Sequence, residues 1–304
     1  LRQARKRRAK RSRWHGCGHW GALLRSWALH ASPPTGNVPM TETYEILAIK
    51  YARHAERTRA ANFLWPDDHA SPQPLDFYVW VVRNANRTIL VDTGYDAAEG
   101  VRRDRPIEIE PVDALRRLGI DPDTLDTVIL THLHFDHAGT LDRFPAAHFH
   151  IQEREVAYAT GPCMCEATLQ KPYHPDHVCS LVRKIYSGRV RFYDGDGEVA
   201  PGITVHAVPG HTQGLQCVRV QTHSGPVVLA SDATHYYENF ERRQPFSVTV
   251  DVAQTLRSYT RLEEMAASRA HIIPGHDPLV LARYPALTAA TSGQVHRVDL
   301  PRLR

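Results

Sequence analysis

The sequence predicts an α/β protein in which helices are layered on β-sheet, and three observations predict it. Apolar runs with a strand period alternate with runs of helical period along the chain. Four times a strand-like run ends in a turn that carries His or Asp, at 131–137, at 209–211, at Asp232 and at 274–276. The 304 residues, 42% of them hydrophobic, are enough for one large core.

Taken in order, 44–51 alternates as a first strand. Residues 53–74 contain three prolines and read as a long loop, a length that is usually functional. Its Phe63, Leu64 and Trp65 either wall an apolar pocket or anchor the loop. Residues 76–82 and 87–92 form a hairpin turned at Asn84-Ala85-Asn86. It ends at Asp92-Thr93-Gly94, where Asp92 either hydrogen-bonds a metal-ligating histidine or makes a plain turn. Residues 111–118 read as a helix stopped at Gly119, followed by a strand at 127–130. A short strand at 149–151 leads to helices at 153–159 and 178–186, an insertion at about 153–188 placed over the site rather than in the core. A strand at 203–208, a hairpin of 215–221 with 226–232, and a helix marked by Val252, Leu256, Tyr259, Leu262 and Ala266 complete the pattern. The strand at 271–273 then enters Pro274-Gly275-His276.

Charge is unevenly spread. Residues 1–40 hold nine Lys/Arg and no acid, leaving 28 basic against 33 acidic residues from Thr41 onward, a body at −5. The pI of 8.8 is therefore no nucleic-acid footprint. Residues 1–39 are expected to be a disordered basic leader or upstream sequence, with Met40 resembling a natural start, and 40–304 a single domain. No later stretch reaches the 18 or more apolar residues of a membrane span. Five cysteines do not make a disulfide framework, which suits a reducing, cytoplasmic setting. Cys163, Cys165, His174, His177 and Cys179 lie close in sequence, but Cys-x-Cys is tighter than the usual chelating pair, which favours free thiols and loop histidines.

The chemistry is concentrated in Thr131-His132-Leu133-His134-Phe135-Asp136-His137-Ala138-Gly139, directly after the apolar run 127–130. His132 and His134 project to one side, while Asp136 and His137 follow a turn and face a second point. One segment can so feed two metals, and imidazole with carboxylate suits Zn²⁺, iron or manganese. His148, His206, His223 and His271 lack this placement and read as structural or exposed.

His132-x-His134-x-Asp136-His137 followed by His211, Asp232 and His276 resembles the metallo-β-lactamase superfamily, over 44 to about 285. The resemblance implies a four-layer αββα sandwich with two mixed β-sheets and two Zn²⁺, or Fe, Mn or Co, at one edge. It also implies that His132, His134 and His211 hold the first metal, Asp136, His137 and His276 the second, and that Asp232 bridges them. The bridging aspartate and the absence of a cysteine ligand depart from true β-lactamases. The motif, with Ser231-Asp232-Ala233 and 238–241, is similar to the N-acyl homoserine lactone lactonases.

That likeness implies hydrolytic ring opening by hydroxide held between the metals, with Asp136 or the metal-bound water returning the proton. Those enzymes commonly carry tyrosine three residues after the bridging aspartate; His235 stands there, followed by Tyr236 and Tyr237. His235 is the expected oxyanion donor, the alternatives being a neighbouring tyrosine or a different substrate. Another small lactone, or a thioester as in glyoxalase II, would suit the same site, though the thioesterase wants a basic pocket and no distinct basic cluster shows in the sequence. The expected partner is a small-molecule lactone, with no nucleic acid and no membrane, and a homodimer is left open.

Overall fold

The computed structural model describes residues 42–65 and 68–303; the expected leader at 1–39 lies outside them. Twelve strands form two sheets. The larger contains β1 (Glu45–His54), β2 (Leu75–Arg83), β3 (Thr88–Val91), β4 (Thr127–Ile129), β5 (His148–Gln152), β6 (Val190–Tyr193) and, from the end of the chain, β12 (Val295–Arg297). Its order is β12-β1-β2-β3-β4-β5-β6, antiparallel from β12 to β3 and parallel from β3 to β6. The smaller contains β7 (Gly197–Ala200), β8 (Ile203–Ala207), β9 (Gln216–Thr222), β10 (Gly225–Ser231) and β11 (Ile272–Pro274), in the order β11-β10-β9-β8-β7. Only β10 and β11 run parallel in it, so both sheets are mixed.

The central strands are apolar on both faces because each face meets a different core. Along β2, Phe77, Val79 and Val81 enter one cluster while Tyr78, Trp80 and Val82 enter the other. Leu47 and Ile49 of β1 divide from Ile46 and Ala48 in the same way. The first cluster takes Val112, Ala114 and Leu115; the second joins the two sheets and also holds Tyr259 and Leu262.

The helices are α1 (Ala97–Arg102), α2 (Pro111–Arg117), α3 (Glu153–Ala159), α4 (Ala167–Gln170), α5 (Pro175–Tyr186), α6 (Tyr237–Glu241), α7 (Val252–Met265) and α8 (Leu279–Arg283). With α2 against the larger sheet and α7 against the smaller, the layers read helix, sheet, sheet, helix, as expected. Helix α5 begins before the expected residue 178, because Pro175 opens it at a position where the missing N–H is harmless and His174 caps it. Among the described residues no helix is long and apolar enough to cross a membrane.

Two strands end in a residue with left-handed backbone just where the site begins: Asp92 after β3 at φ 60° and Ser231 closing β10 at φ 48°. Neither is glycine, and such backbone is held by its surroundings rather than by preference. It turns Asp92 and Asp232 out of their strands toward one point.

Candidate metal centre

Seven side chains from four loops converge between the sheets' edges. The loop after β4 brings His132, His134, Asp136 and His137; the turn after β8 brings His211; Asp232 directly follows β10; His276 lies two residues past β11. All seven are buried. His132, His134, His211 and Asp232 place ligand atoms within 4.8 Å of one another, and so do Asp136, His137 and His276.

Asp232 stands between the two groups. Its Oδ2 lies 3.2 Å from His211 Nε2 and 3.9 Å from His132 Nε2, whereas Oδ1 lies 2.9 Å from His276 Nε2 and 3.2 Å from His137 Nε2. Asp136 Oδ2 is 3.6 Å from His137 Nε2 and 3.7 Å from His276 Nε2. Its backbone carbonyl accepts the Tyr51 hydroxyl at 2.9 Å, which fixes the residue.

The imidazoles are oriented from behind. His137 Nδ1 meets Asp92 Oδ2 at 2.7 Å, His211 Nδ1 meets the Val248 carbonyl at 2.6 Å, and His276 Nδ1 meets the Asp76 carbonyl at 2.8 Å. Each acceptor calls for a proton on Nδ1, so that Nε2 is the nitrogen facing the centre. His132 Nε2, His137 Nε2 and Asp232 Oδ1 are buried with no hydrogen-bond partner among the described residues. Buried polar atoms are rarely left so, and these three face a common centre, as the atoms of a candidate metal site would. The donor set fits divalent cations such as zinc.

Burial, with neighbouring imidazoles, holds His132 and His134 well below the usual histidine range, so both stay neutral. Burial works against charge on His137 and His276 too, but Asp232 and Asp136 outweigh it and hold both above that range. Burial would raise Asp232; His235, His276, His137 and His211 instead pull it well below the carboxylate range.

Two supports tie this cluster to the fold. Asp92 makes the hydrogen bond to the ligand-type histidine that its position suggested, and it also accepts from Thr131 N at 2.7 Å. Thr131 Oγ1 in turn accepts the Ser231 hydroxyl at 2.8 Å, joining the ends of β4 and β10. The second support, Glu155 on α3, escaped the sequence reading. Its fully buried carboxylate accepts Leu133 N at 3.0 Å, Tyr173 Oη at 3.1 Å, Thr212 Oγ1 at 2.6 Å and Gly214 N at 3.2 Å, clamping the His132–His134 and His211 loops together. Burial pushes its pKa up against those bonds. An acid on the inward face of a helix, beside Tyr158 and Ala159, was the signal available.

The cluster floors a cavity of about 320 Å³ lined by Leu75, Phe77, Phe135, Asp136, His235, Phe246 and Val248, among others. His235 lines it with its ring stacked on Phe246, centroids 3.5 Å apart and planes 9° apart. However, its Nε2 is 3.0 Å from Asp232 Oδ2, and its Nδ1 is buried without a partner. The ring's donor is thus spent on Asp232 rather than offered to the cavity. Tyr236 points its hydroxyl to the Pro74 carbonyl at 3.1 Å, and Tyr237 packs between Arg283 and Arg302 at 4.1 and 4.8 Å; neither lines the cavity.

Three further expectations resolve here. Phe63 is buried and stacks near Tyr236 and Trp65 is 77% exposed; with Leu64 absent from the cavity lining as well, the segment anchors its loop rather than walling the pocket. Cys163, Cys165, Cys179 and Cys217 are free thiols. The expectation of no basic cluster fails: Arg57, Arg103, Arg105 and Lys171 all line the cavity. They come from the β1–β2 loop, the region after α1 and the insertion, so no sequence window contains them together.

The sequence profile of the metallo-beta-lactamase superfamily matches residues 74–276. An N-acyl homoserine lactonase of a Bacillus sp. is 34% identical over 221 residues, 67% of this chain and 82% of that protein. The N-acyl homoserine lactonase AiiA of Bacillus thuringiensis subsp. kurstaki is 33% identical over 219 residues, with the same coverage. Among solved structures, a quorum-quenching N-acyl homoserine lactone lactonase aligns with TM-score 0.65 at 27% identity, over 78% of this chain and 94% of that one. An N-acyl homoserine lactone hydrolase with the product N-hexanoyl-L-homoserine at its catalytic metal centre aligns over the same shares with TM-score 0.63 at 25% identity. The chain belongs to the metallo-β-lactamase superfamily and is N-acyl homoserine lactonase-like within it.

Proposed function

We propose that the protein is a metal-dependent hydrolase that opens the lactone ring of N-acyl homoserine lactones, with two Zn²⁺ or similar divalent cations per chain. The observation that carries this reading is the convergence of five imidazoles and two carboxylates on one centre, with three buried atoms among them lacking a hydrogen-bond partner among the described residues. His132, His134 and His211 would hold one cation and Asp136, His137 and His276 the other. Asp232 would span both, since its two oxygens face different histidines. When bound, such a pair of cations supplies an acidified water and an electrophile for a carbonyl oxygen near neutral pH.

The chain's own residues supply the rest. Asp136 faces the cavity, and among the described residues its carboxylate makes no hydrogen bond. It takes the proton that water gives up as the water oxygen joins the carbonyl carbon. It returns that proton to the ring oxygen as the C–O bond breaks. Leu75, Phe77 and Val248 hold the acyl chain and keep bulk water out. His235 donates from Nε2 to Asp232 Oδ2 and acts as a positioning residue for that carboxylate.

The test is pH-stat hydrolysis of N-hexanoyl-L-homoserine lactone by the zinc-loaded chain, beside S-lactoylglutathione and γ-butyrolactone. Ring opening that is lost with a chelator and in Asp232→Asn supports the reading. Turnover of the thioester without any opening of the acylated lactone refutes it. A glyoxalase II-like thioesterase is the second reading, favoured by the basic residues that line the cavity.

A further inference from the structure

The cavity carries more positive charge than a neutral lactone can use. Arg103 is fully engaged: its Nε meets the Glu99 carboxylate, and its terminal nitrogens donate to the carbonyls of Lys171 at 2.9 Å and Tyr173 at 3.1 Å. Arg57 and Arg105 are not. Arg57 donates from Nε to the Asn62 side-chain oxygen and from Nη2 to the Ala61 carbonyl at 2.7 Å, both neutral acceptors. Arg105 donates only from Nε, to His54 Nδ1 at 3.3 Å. Among the described residues neither guanidinium forms an ion pair. Among the described residues Nη1 of Arg57 and both terminal nitrogens of Arg105 meet no acceptor.

Arg57 is held by its two hydrogen bonds, whereas Arg105 is fixed mainly at its backbone. Arg105 is pinned through its backbone, with N donating to the Gly100 carbonyl at 2.8 Å and its own carbonyl accepting the Tyr95 hydroxyl at 3.0 Å. Arg57 lies 5.0 Å over Phe246, the ring that stacks on His235, and Arg105 lies 5.7 Å over Phe135, the neighbour of Asp136 in the chain. Arg57 and Arg105, neither of them in an ion pair among the described residues, line one cavity and repel one another. Burial presses the pKa of Arg57 below its usual value, with Arg105 adding to the effect and Tyr236 and Asp136 working against it. An arriving anion relieves that repulsion and meets donors matched to a planar carboxylate.

We infer that the substrate is an anion: an acyl lactone whose acyl chain ends in a carboxylate, gripped by Arg57 and Arg105 while the ring lies over the cluster of histidines and aspartates. The inference rests on the lactonase reading and names its substrate class. Leu75 and Phe77 line the same cavity and suit the methylenes between ring and carboxylate.

The test compares N-adipoyl-L-homoserine lactone with its methyl ester and with N-hexanoyl-L-homoserine lactone on the zinc-loaded full chain. Ring opening is followed by pH-stat and binding by calorimetry. The free carboxylate should be favoured over the ester by about tenfold or more in kcat/KM, through KM rather than kcat, with a gap that narrows as salt is added. The Arg57→Gln/Arg105→Gln variant should lose that preference. The methyl ester removes the charge from the ligand, so the comparison stands even if the double variant does not fold. Equal turnover of acid and ester by the parent chain overturns the inference and leaves the lactonase reading intact. If no ring opens but the free carboxylate binds about tenfold tighter than the ester, the lactonase reading falls and the anion site stands. Neither opening nor preference overturns both.

Discussion

Replacing Asp92 with Asn should weaken metal binding by fixing His137 in the wrong tautomer. The carboxylate is fully buried at the end of β3, with Oδ1 accepting Thr131 N at 2.7 Å and Oδ2 meeting His137 Nδ1 at 2.7 Å. Asparagine matches it in shape and tolerates the left-handed backbone at this position, so the turn is kept. Its single oxygen can retain the Thr131 N–H. The amide nitrogen then faces His137 Nδ1 as a donor and drives the imidazole proton to Nε2, the atom that has no partner and faces the centre. Losing such a supporting contact lowers metal affinity roughly 10–100-fold. At about 1.4 kcal/mol per factor of ten, that is about 1.4–2.8 kcal/mol. Competition for zinc against a chromophoric chelator measures it, with circular dichroism confirming the fold. A folded Asp92→Asn chain whose weaker zinc site stays within about twofold of the parent would refute the tautomer reasoning.

Four other outcomes are expected. Glu155→Gln puts an amide donor among four donors, so a buried N–H is stranded at about 1–3 kcal/mol; an unchanged denaturation midpoint would count against the clamp. A Cβ on Gly275 would lie 2.8 Å from Asp232 Oδ1 and 2.8 Å from the Ser231 carbonyl carbon, so Gly275→Ala should reduce bound zinc, read by atomic absorption, while strand content is retained. His150 has its pKa lowered to about 4 by burial and Arg191. The unfolded chain takes up its proton below the ordinary value of 6.5, before the folded one does, so stability falls as pH drops from 6.5 to 4, by up to about 3 kcal/mol. His150→Gln should flatten that part of the stability profile, and a parallel profile would refute the assignment. His235→Ala should cut zinc affinity or kcat roughly tenfold by releasing Asp232, and His235→Gln, which keeps a donor, should recover part of it; equal losses in the two would contradict a positioning role.

The candidate ligand set was legible because its members sit in the turns and loops that directly follow apolar strands, a local pattern. The hairpins were legible for the same reason, as with Asn84, whose N–H bonds the Arg87 carbonyl at 3.0 Å and whose side chain caps the turn. Strands β6 and β7 went unseen because they are half-exposed and short, with no apolar alternation. Helix α1 went unseen because only Glu99 and Gly100 of its six residues are buried. The basic lining was illegible for a different reason. Arg57, Arg103, Arg105 and Lys171 are ordinary surface residues in their own segments, and only the packing of three loops around one opening makes them neighbours.

The Thr131–Ser231 contact has a consequence beyond geometry. It lies where the two sheets meet, and the side chains aimed at the centre hang from both: His132 to His137 from the larger, Asp232 and His276 from the smaller. A cation held there acts as a rivet through the sandwich, and unfolding must eject it, so binding free energy becomes folding free energy. Scarcity of metal would then shorten the life of the protein as well as silence it. Arg57, Arg103, Arg105 and Lys171, which line the cavity, sit on loops outside that seam and can vary while the rivet stays in place.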